Sequence, residues 1–141
     1  MVMLLRIKPC LRNEKYAFTV NLSKQPKQLW FYLNGKQVSG SIPECVHLTV
    51  MINNIPVFNG WTGLGGMPVY TTRVEKFVQT GRNLVEVLAG PRNETWELTI
   101  LLSEQAPRHV KEWYERMSIL APRIIEEAQG KIPRKQILFN V

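Results

Sequence analysis

Two cysteines and two histidines are the residues of this 141-residue chain best suited to nucleophilic or metal chemistry. Cys45 and His47 stand two positions apart, a thiol near a base. In a strand, residues i and i+2 share a face without aiming at one another, and nothing nearby supplies an oxyanion hole. Cys10, Cys45, His47 and His109 lack spacings such as Cys-x2-Cys or His-x3-His, so no metal site is expected. Glu126 and Glu127 are neighbours in a helical pattern and point to different sides, whereas glycoside hydrolysis needs two acids facing across a cleft. All eleven acids are Glu. The absence of Asp removes Asp-rich calcium loops and Asp-based triads in their usual form. The expectation is a protein without catalytic residues, metal or cofactor.

The best binding candidate is the segment Gly60-Trp61-Thr62-Gly63-Leu64-Gly65-Gly66-Met67-Pro68. Glycine permits close backbone approach, and a Trp offers a flat apolar face. A phosphate cradle would need Gly-Lys-Ser/Thr at its end, or a dinucleotide fingerprint between strand and helix, and neither occurs. Trp61, Gly63, Leu64, Gly65, Gly66 and Tyr70 are the candidate binding residues, with Trp61 and Tyr70 as stacking platforms for sugar rings. The alternative is a long connection whose Trp61 tucks into the core.

Extended segments must position this loop. Lys15 to Leu22 alternates, with Tyr16, Phe18, Val20 and Leu22 on one face, the period of a half-buried strand. Leu29 to Leu33 is a further apolar run, and Asn34-Gly35 after it predicts a hairpin turn. Val46 to Ile52 is nearly continuous in apolar character and predicts a strand covered on both faces. Asn53-Asn54 predicts a tight turn into Ile55-Pro56-Val57-Phe58, and Thr80 to Asn83 turns the chain into Leu84 to Leu88. Trp96 to Leu102, the start Met1 to Lys8 and the tail Gln136 to Val141 read as further strands. Short strands with frequent turns predict a mainly β fold, an antiparallel β-sandwich of jelly-roll-like type, over residues 1–103.

After residue 103 the pattern changes. Val110, Trp113, Tyr114, Met117, Ala121, Ile124, Ile125 and Ala128 recur at three- and four-residue spacing, which predicts an amphipathic helix. Pro122 predicts a kink in it, or two helices meeting near Ala121, and Gly130 a stop. Residues 104–130 are thus expected to be a helical appendage packed on the sandwich, and 131–141 an extended tail. Trp113, Tyr114 and Met117 are the candidates for a partner-binding helix face.

The 45% apolar content suffices for one core without disulfide or metal staples. No apolar run approaches the ~20 residues that span a bilayer. Met1 to Lys8 reads as a strand rather than a leader, which predicts cytoplasmic synthesis with reduced cysteines; a Cys10–Cys45 bridge is the alternative in an oxidising setting. The net charge of +7 divides into +6 over residues 1–36, −2 over 37–104 and +3 over 105–141. Basic ends suit an anionic partner such as nucleic acid, but no block of consecutive basic residues occurs, and a solvated surface is the simpler reading.

The stretch from Leu48 to Leu102 resembles the galactose-binding-like β-sandwich modules attached to many glycoside hydrolases. The resemblance rests on Val50-Met51-Ile52-Asn53-Asn54-Ile55-Pro56-Val57, then Phe77, then Gly81-Arg82-Asn83-Leu84-Val85-Glu86-Val87, with Trp96 to Ile100 closing. It implies a jelly-roll fold and carries no binding residue across, because the ligand loops of such modules vary. The first functional expectation is a non-catalytic structural protein, a subunit of a larger assembly such as a phage or other virion, with protein partners of the same or a neighbouring kind. The alternative is a carbohydrate-binding module using the glycine-rich loop. A second alternative is nucleic-acid binding through the basic ends.

Overall fold

The computed structural model describes residues 3–7, 15–89, 96–105 and 136–140. They form β1 (Met3–Ile7), β2 (Lys15–Leu22), β3 (Trp30–Gln37), β4 (His47–Ile52), β5 (Ile55–Trp61), β6 (Tyr70–Arg73), β7 (Gly81–Ala89), β8 (Trp96–Ser103) and β9 (Gln136–Asn140). A 3-10 turn, Glu75–Phe77, follows β6. One sheet runs β1-β8-β3-β6 and the other β5-β4-β7-β2-β9. Neighbouring strands are antiparallel except β2 and β9, which run parallel. The expected final strand is therefore present, at the edge of the five-stranded sheet.

The alternation read from β2 sets its burial. Tyr16, Phe18, Val20 and Leu22 are buried and join Phe31, Leu33, Leu48, Val50, Ile52, Val85, Val87, Trp96, Leu98, Ile100 and Leu102 in one apolar cluster. These residues come from both sheets, so the two inner faces close on each other as a sandwich. Burial of this kind is the main stabilising term, at about 25 cal/mol for each Å² of apolar surface removed from water.

The expectation that β4 is covered on both faces is not met. Leu48, Val50 and Ile52 are buried, while His47, Thr49 and Met51 are only partly so. Among the described residues, β8 is covered on both faces, every one of its residues being buried. Its outward residues Glu97, Thr99, Leu101 and Ser103 are 7%, 4%, 1% and 1% exposed, and their neighbour Tyr32 is buried with them. The Tyr32 hydroxyl donates to the Gln105 carbonyl at 3.0 Å, and burial pushes its phenol above the usual 10.0. The outward face of the four-stranded sheet is thus buried along β8 and at Tyr32, while Lys36 and Arg73 on the same sheet are exposed.

The hairpin expected at Asn34-Gly35 is also absent. Both residues continue β3, opposite Thr99 and Leu98. Glycine serves a different purpose here: a Cβ at position 35 would sit 3.0 Å from Leu98 Cδ2. The Asn34 side chain donates to the Met67 carbonyl at 2.8 Å. The turn at Asn53-Asn54 does form, with φ of 50° and 66°, the positive values that a two-residue hairpin loop requires.

The expected helix, with Trp113, Tyr114, Met117 and Pro122, lies outside the described residues, as do Cys10 and His109. Cys45 is a free, exposed thiol. No helix among the described residues is long and apolar enough to cross a membrane.

Candidate functional site

The glycine-rich segment starts later than its composition suggests. Asn59, Gly60 and Trp61 belong to β5, and the loop proper begins at Thr62. It is laced to the end of β3 and to the β3–β4 connection by backbone hydrogen bonds: Gln37 N to Gly65 O at 2.9 Å, Gly65 N to Glu44 O at 3.0 Å, and Met67 N to Gly35 O at 3.0 Å. Thr62 fixes the start of the loop, because its backbone N–H donates to Val46 O at 2.9 Å and its hydroxyl accepts from Val46 N at 3.0 Å. Gly63 and Gly66 form an isolated bridge, and a Cβ on Gly63 would lie 2.8 Å from the Gly66 carbonyl oxygen. These glycines allow two backbones to approach; they do not open a cradle. Gly65 borders a shallow groove of about 290 Å³ lined by Gln37 to Ser41 and Pro43.

What the lacing presents is more informative than the loop itself. Trp61 is 69% exposed and Leu64 is 74% exposed. Trp61 therefore does not tuck into the core. Its position at the end of β5 places it opposite His47 of β4, on the outward face of the five-stranded sheet. The His47 ring meets the indole edge-on, with centroids 5.2 Å apart and planes at 70°. Edge-to-face contacts of this type contribute about 0.5–1.5 kcal/mol. The contact steadies the indole while leaving it open to solvent.

The next outward pair along the same two strands is Thr49 and Asn59. The Thr49 hydroxyl donates to Asn59 Oδ1 at 3.2 Å. That bond orients the Asn59 amide so that its nitrogen is left as a donor beside the exposed Trp. The combination is a flat apolar face next to a hydroxyl and an amide.

Tyr70 is placed differently. It opens β6 opposite Leu33, a core residue. Its ring packs edge-on against Phe58 at 4.9 Å and Phe31 at 6.4 Å. The structure therefore does not bring Tyr70 and Trp61 onto one face. His47, Thr49 and Asn59 were not among the binding candidates read from sequence. The signal that would have found them is register: a Trp at the end of a hairpin strand shares a face with the residue opposite it and with those two positions along.

Among the described residues, no group of three or more His, Cys, Asp or Glu is placed to hold a metal ion. The Glu75 carboxylate, held by specific partners, lies on the turn after β6. Glu75 Oε1 accepts from Leu29 N at 3.0 Å and from Arg73 Nε at 2.8 Å. The Leu29 N–H is the main cause holding its carboxyl below the ordinary 4.5; burial opposes, and Arg73 adds to the lowering by hydrogen bond and charge.

No family model matches the sequence, and no curated protein matches it. Among solved structures it is similar to the CBM36-1 domain of a multidomain xylanase from the hindgut metagenome of Trinervitermes trinervoides. That match has 16% identity and a TM-score of 0.41, over 70% of this chain and 77% of the other. A family 35 carbohydrate-binding module from an environmental isolate matches at 13% identity and a TM-score of 0.41, over 68% of this chain and 72% of the other. A ruminal GH26 endo-beta-1,4-mannanase matches at 19% identity and a TM-score of 0.39, over 74% of this chain and 21% of that one. The first two are carbohydrate-binding modules. At these identities no binding residue transfers.

Proposed function

We propose that this chain is a non-catalytic carbohydrate-binding module built on a jelly roll, with Trp61 as its stacking platform. The strand orders β1-β8-β3-β6 and β5-β4-β7-β2 support the jelly-roll reading. The observation that carries the functional reading is the exposure of Trp61, 69%, on a sheet face where His47 fixes it and Asn59 and Thr49 flank it. One face of a sugar ring is apolar C–H surface and its rim is hydroxyl. A flat indole with adjacent amide and hydroxyl groups complements both. The reading keeps Trp61 from the loop candidates and gives Tyr70 a packing role.

The test is a glycan array probed with wild type and Trp61→Ala. Truncation of a central aromatic anchor costs about 2 kcal/mol or more, roughly thirty-fold in affinity. Loss of array signal in the variant, with unchanged circular dichroism, is the expected result. A variant that binds the same glycans equally well would contradict it.

The assembly-subunit reading rests on a separate observation. Ile42 is 70% exposed, Leu64 74% and Val69 48%, and such apolar residues suit contact with a protein. Native mass at the working concentration separates the two: a monomer that binds glycan removes the assembly reading. The virion version of it has no structural observation behind it.

A further inference from the structure

The outward face of the five-stranded sheet holds more than the corner occupied by Trp61. Register aligns Asn59 of β5 with Thr49 of β4, Thr49 with Leu88 of β7, and Leu88 with Lys15 of β2. These four residues form one row across four strands, about 14 Å long at the usual inter-strand spacing of ~4.8 Å. Trp61 and His47 stand one step away, about 7 Å along the strands.

The row is open. Leu88 is 43% exposed, the Lys15 side chain 50%, and Asn59 is exposed. Further along the same face Glu86 is 8% exposed and Thr19 2%, while Met51 and Ala17 are partly buried. An accessible strip is therefore flanked at β7 by a covered residue and ends at Trp61. Its chemistry is an amide, a hydroxyl, an exposed apolar side chain and an ammonium group in that order. The ammonium is neutralised in place, because Lys15 Nζ is ion-paired with Glu86 Oε2.

We infer that the ligand lies across the strands as a linear, uncharged oligosaccharide of several rings, stacked on Trp61 at one end and passing over Asn59, Thr49 and Leu88. The inference rests on the carbohydrate-binding reading above and adds the ligand's length, charge and direction. Two apolar surfaces, Trp61 and Leu88, with an amide and a hydroxyl between them match a chain of amphipathic rings. An apolar protein patch would leave the Asn59 amide nitrogen without a partner on burial, which is unfavourable. A polyanion would need basic groups not already neutralised.

The experiment is calorimetric titration of the full chain with β-1,4-linked gluco-, xylo- and manno-oligosaccharides of one to six rings. Wild type, Leu88→Ser and Trp61→Ala are compared. Affinity is expected to rise about tenfold or more from the shortest to the longest binding oligomer, a gain of the size that added buried contacts supply. Leu88→Ser, a change at an exposed site, is expected to weaken the longest oligomers about fivefold and leave the shortest unchanged. Affinity is expected to be flat between low and physiological salt. Full affinity for a one-ring ligand, with Leu88→Ser neutral at every length and Trp61→Ala inactive, would overturn the row and leave the Trp61 reading standing. Absence of binding to the whole series by folded wild type would overturn both.

Discussion

The side-chain amide of Asn53 donates to the side-chain carbonyl of Asn83 at 2.9 Å, and this one bond buckles the β4–β5 hairpin to the start of β7. Each amide is also fully engaged elsewhere. Asn53 donates to Phe77 O at 2.8 Å and accepts from Leu84 N at 2.9 Å. Asn83 accepts from Gln79 N at 2.8 Å and donates to the Gln79 and Gly81 carbonyls at 2.8 and 3.0 Å. The buckle holds the hairpin whose far end carries Trp61.

Asn83→Ala removes a side chain that is 1% exposed and strands the partners it satisfied. Each buried group left without a hydrogen bond costs about 1–3 kcal/mol. The variant is expected to lose roughly 3 kcal/mol or more, read as a lower denaturation midpoint with an unchanged slope.

The two residues of the turn should respond oppositely to glycine. Asn54 has a φ of 66° and is exposed, so Asn54→Gly relieves a left-handed backbone and is expected to be neutral or stabilising by up to about 1 kcal/mol. Asn53→Gly keeps the turn but deletes the buckle, and is expected to destabilise by about 2 kcal/mol. Thermal melts of the pair check the sign of each.

Gly35→Ala would ordinarily strengthen a strand. Here the new Cβ meets Leu98 Cδ2 at 3.0 Å, and Leu98 is 1% exposed in the core, with little room to move. A loss of about 1–3 kcal/mol is expected. A rise in melting temperature would show that Leu98 can repack.

Glu75 makes stability depend on pH. Its carboxyl is held below 4.5 in the fold, first by the Leu29 N–H. A folded value lower than the unfolded one gives stabilisation that is fully present above the unfolded value and is lost as pH falls through the folded one. Glu75→Gln should therefore be less stable than wild type at about pH 7, and the gap should close at about pH 3. Denaturant midpoints at both pH values measure it.

Where a residue type admits one structural use, the sequence is easily read. The alternation in Lys15–Leu22 can only be a half-buried strand, and β2 has those bounds. Asn53-Asn54 between apolar runs can hardly be anything but a turn. Asn34-Gly35 carries the same turn signature, yet glycine also serves where a neighbour packs closely, and only Leu98 across the sheet decides between the two. The covering of β8 was hidden for a similar reason: Glu97 and Thr99 are polar, and their burial depends on what lies over that face. Val46 to Ile52 hid its open face because His47, Thr49 and Met51 are not strongly polar. The site is divided in the same way. Trp61 was visible as an aromatic beside glycines, whereas Asn59, Thr49 and Leu88 become its neighbours only through strand register.

The central claim is that Trp61 binds sugar. The chain has four Trp residues; Trp96 is fully buried and Trp61 is 69% exposed. Intrinsic fluorescence, titrated with the oligosaccharide that the array selects, reads that exposure directly. A saturable blue shift is expected in wild type as a sugar ring covers the indole, absent in Trp61→Ala. Saturable binding by calorimetry with no change in Trp emission, and retained in Trp61→Ala, would contradict it.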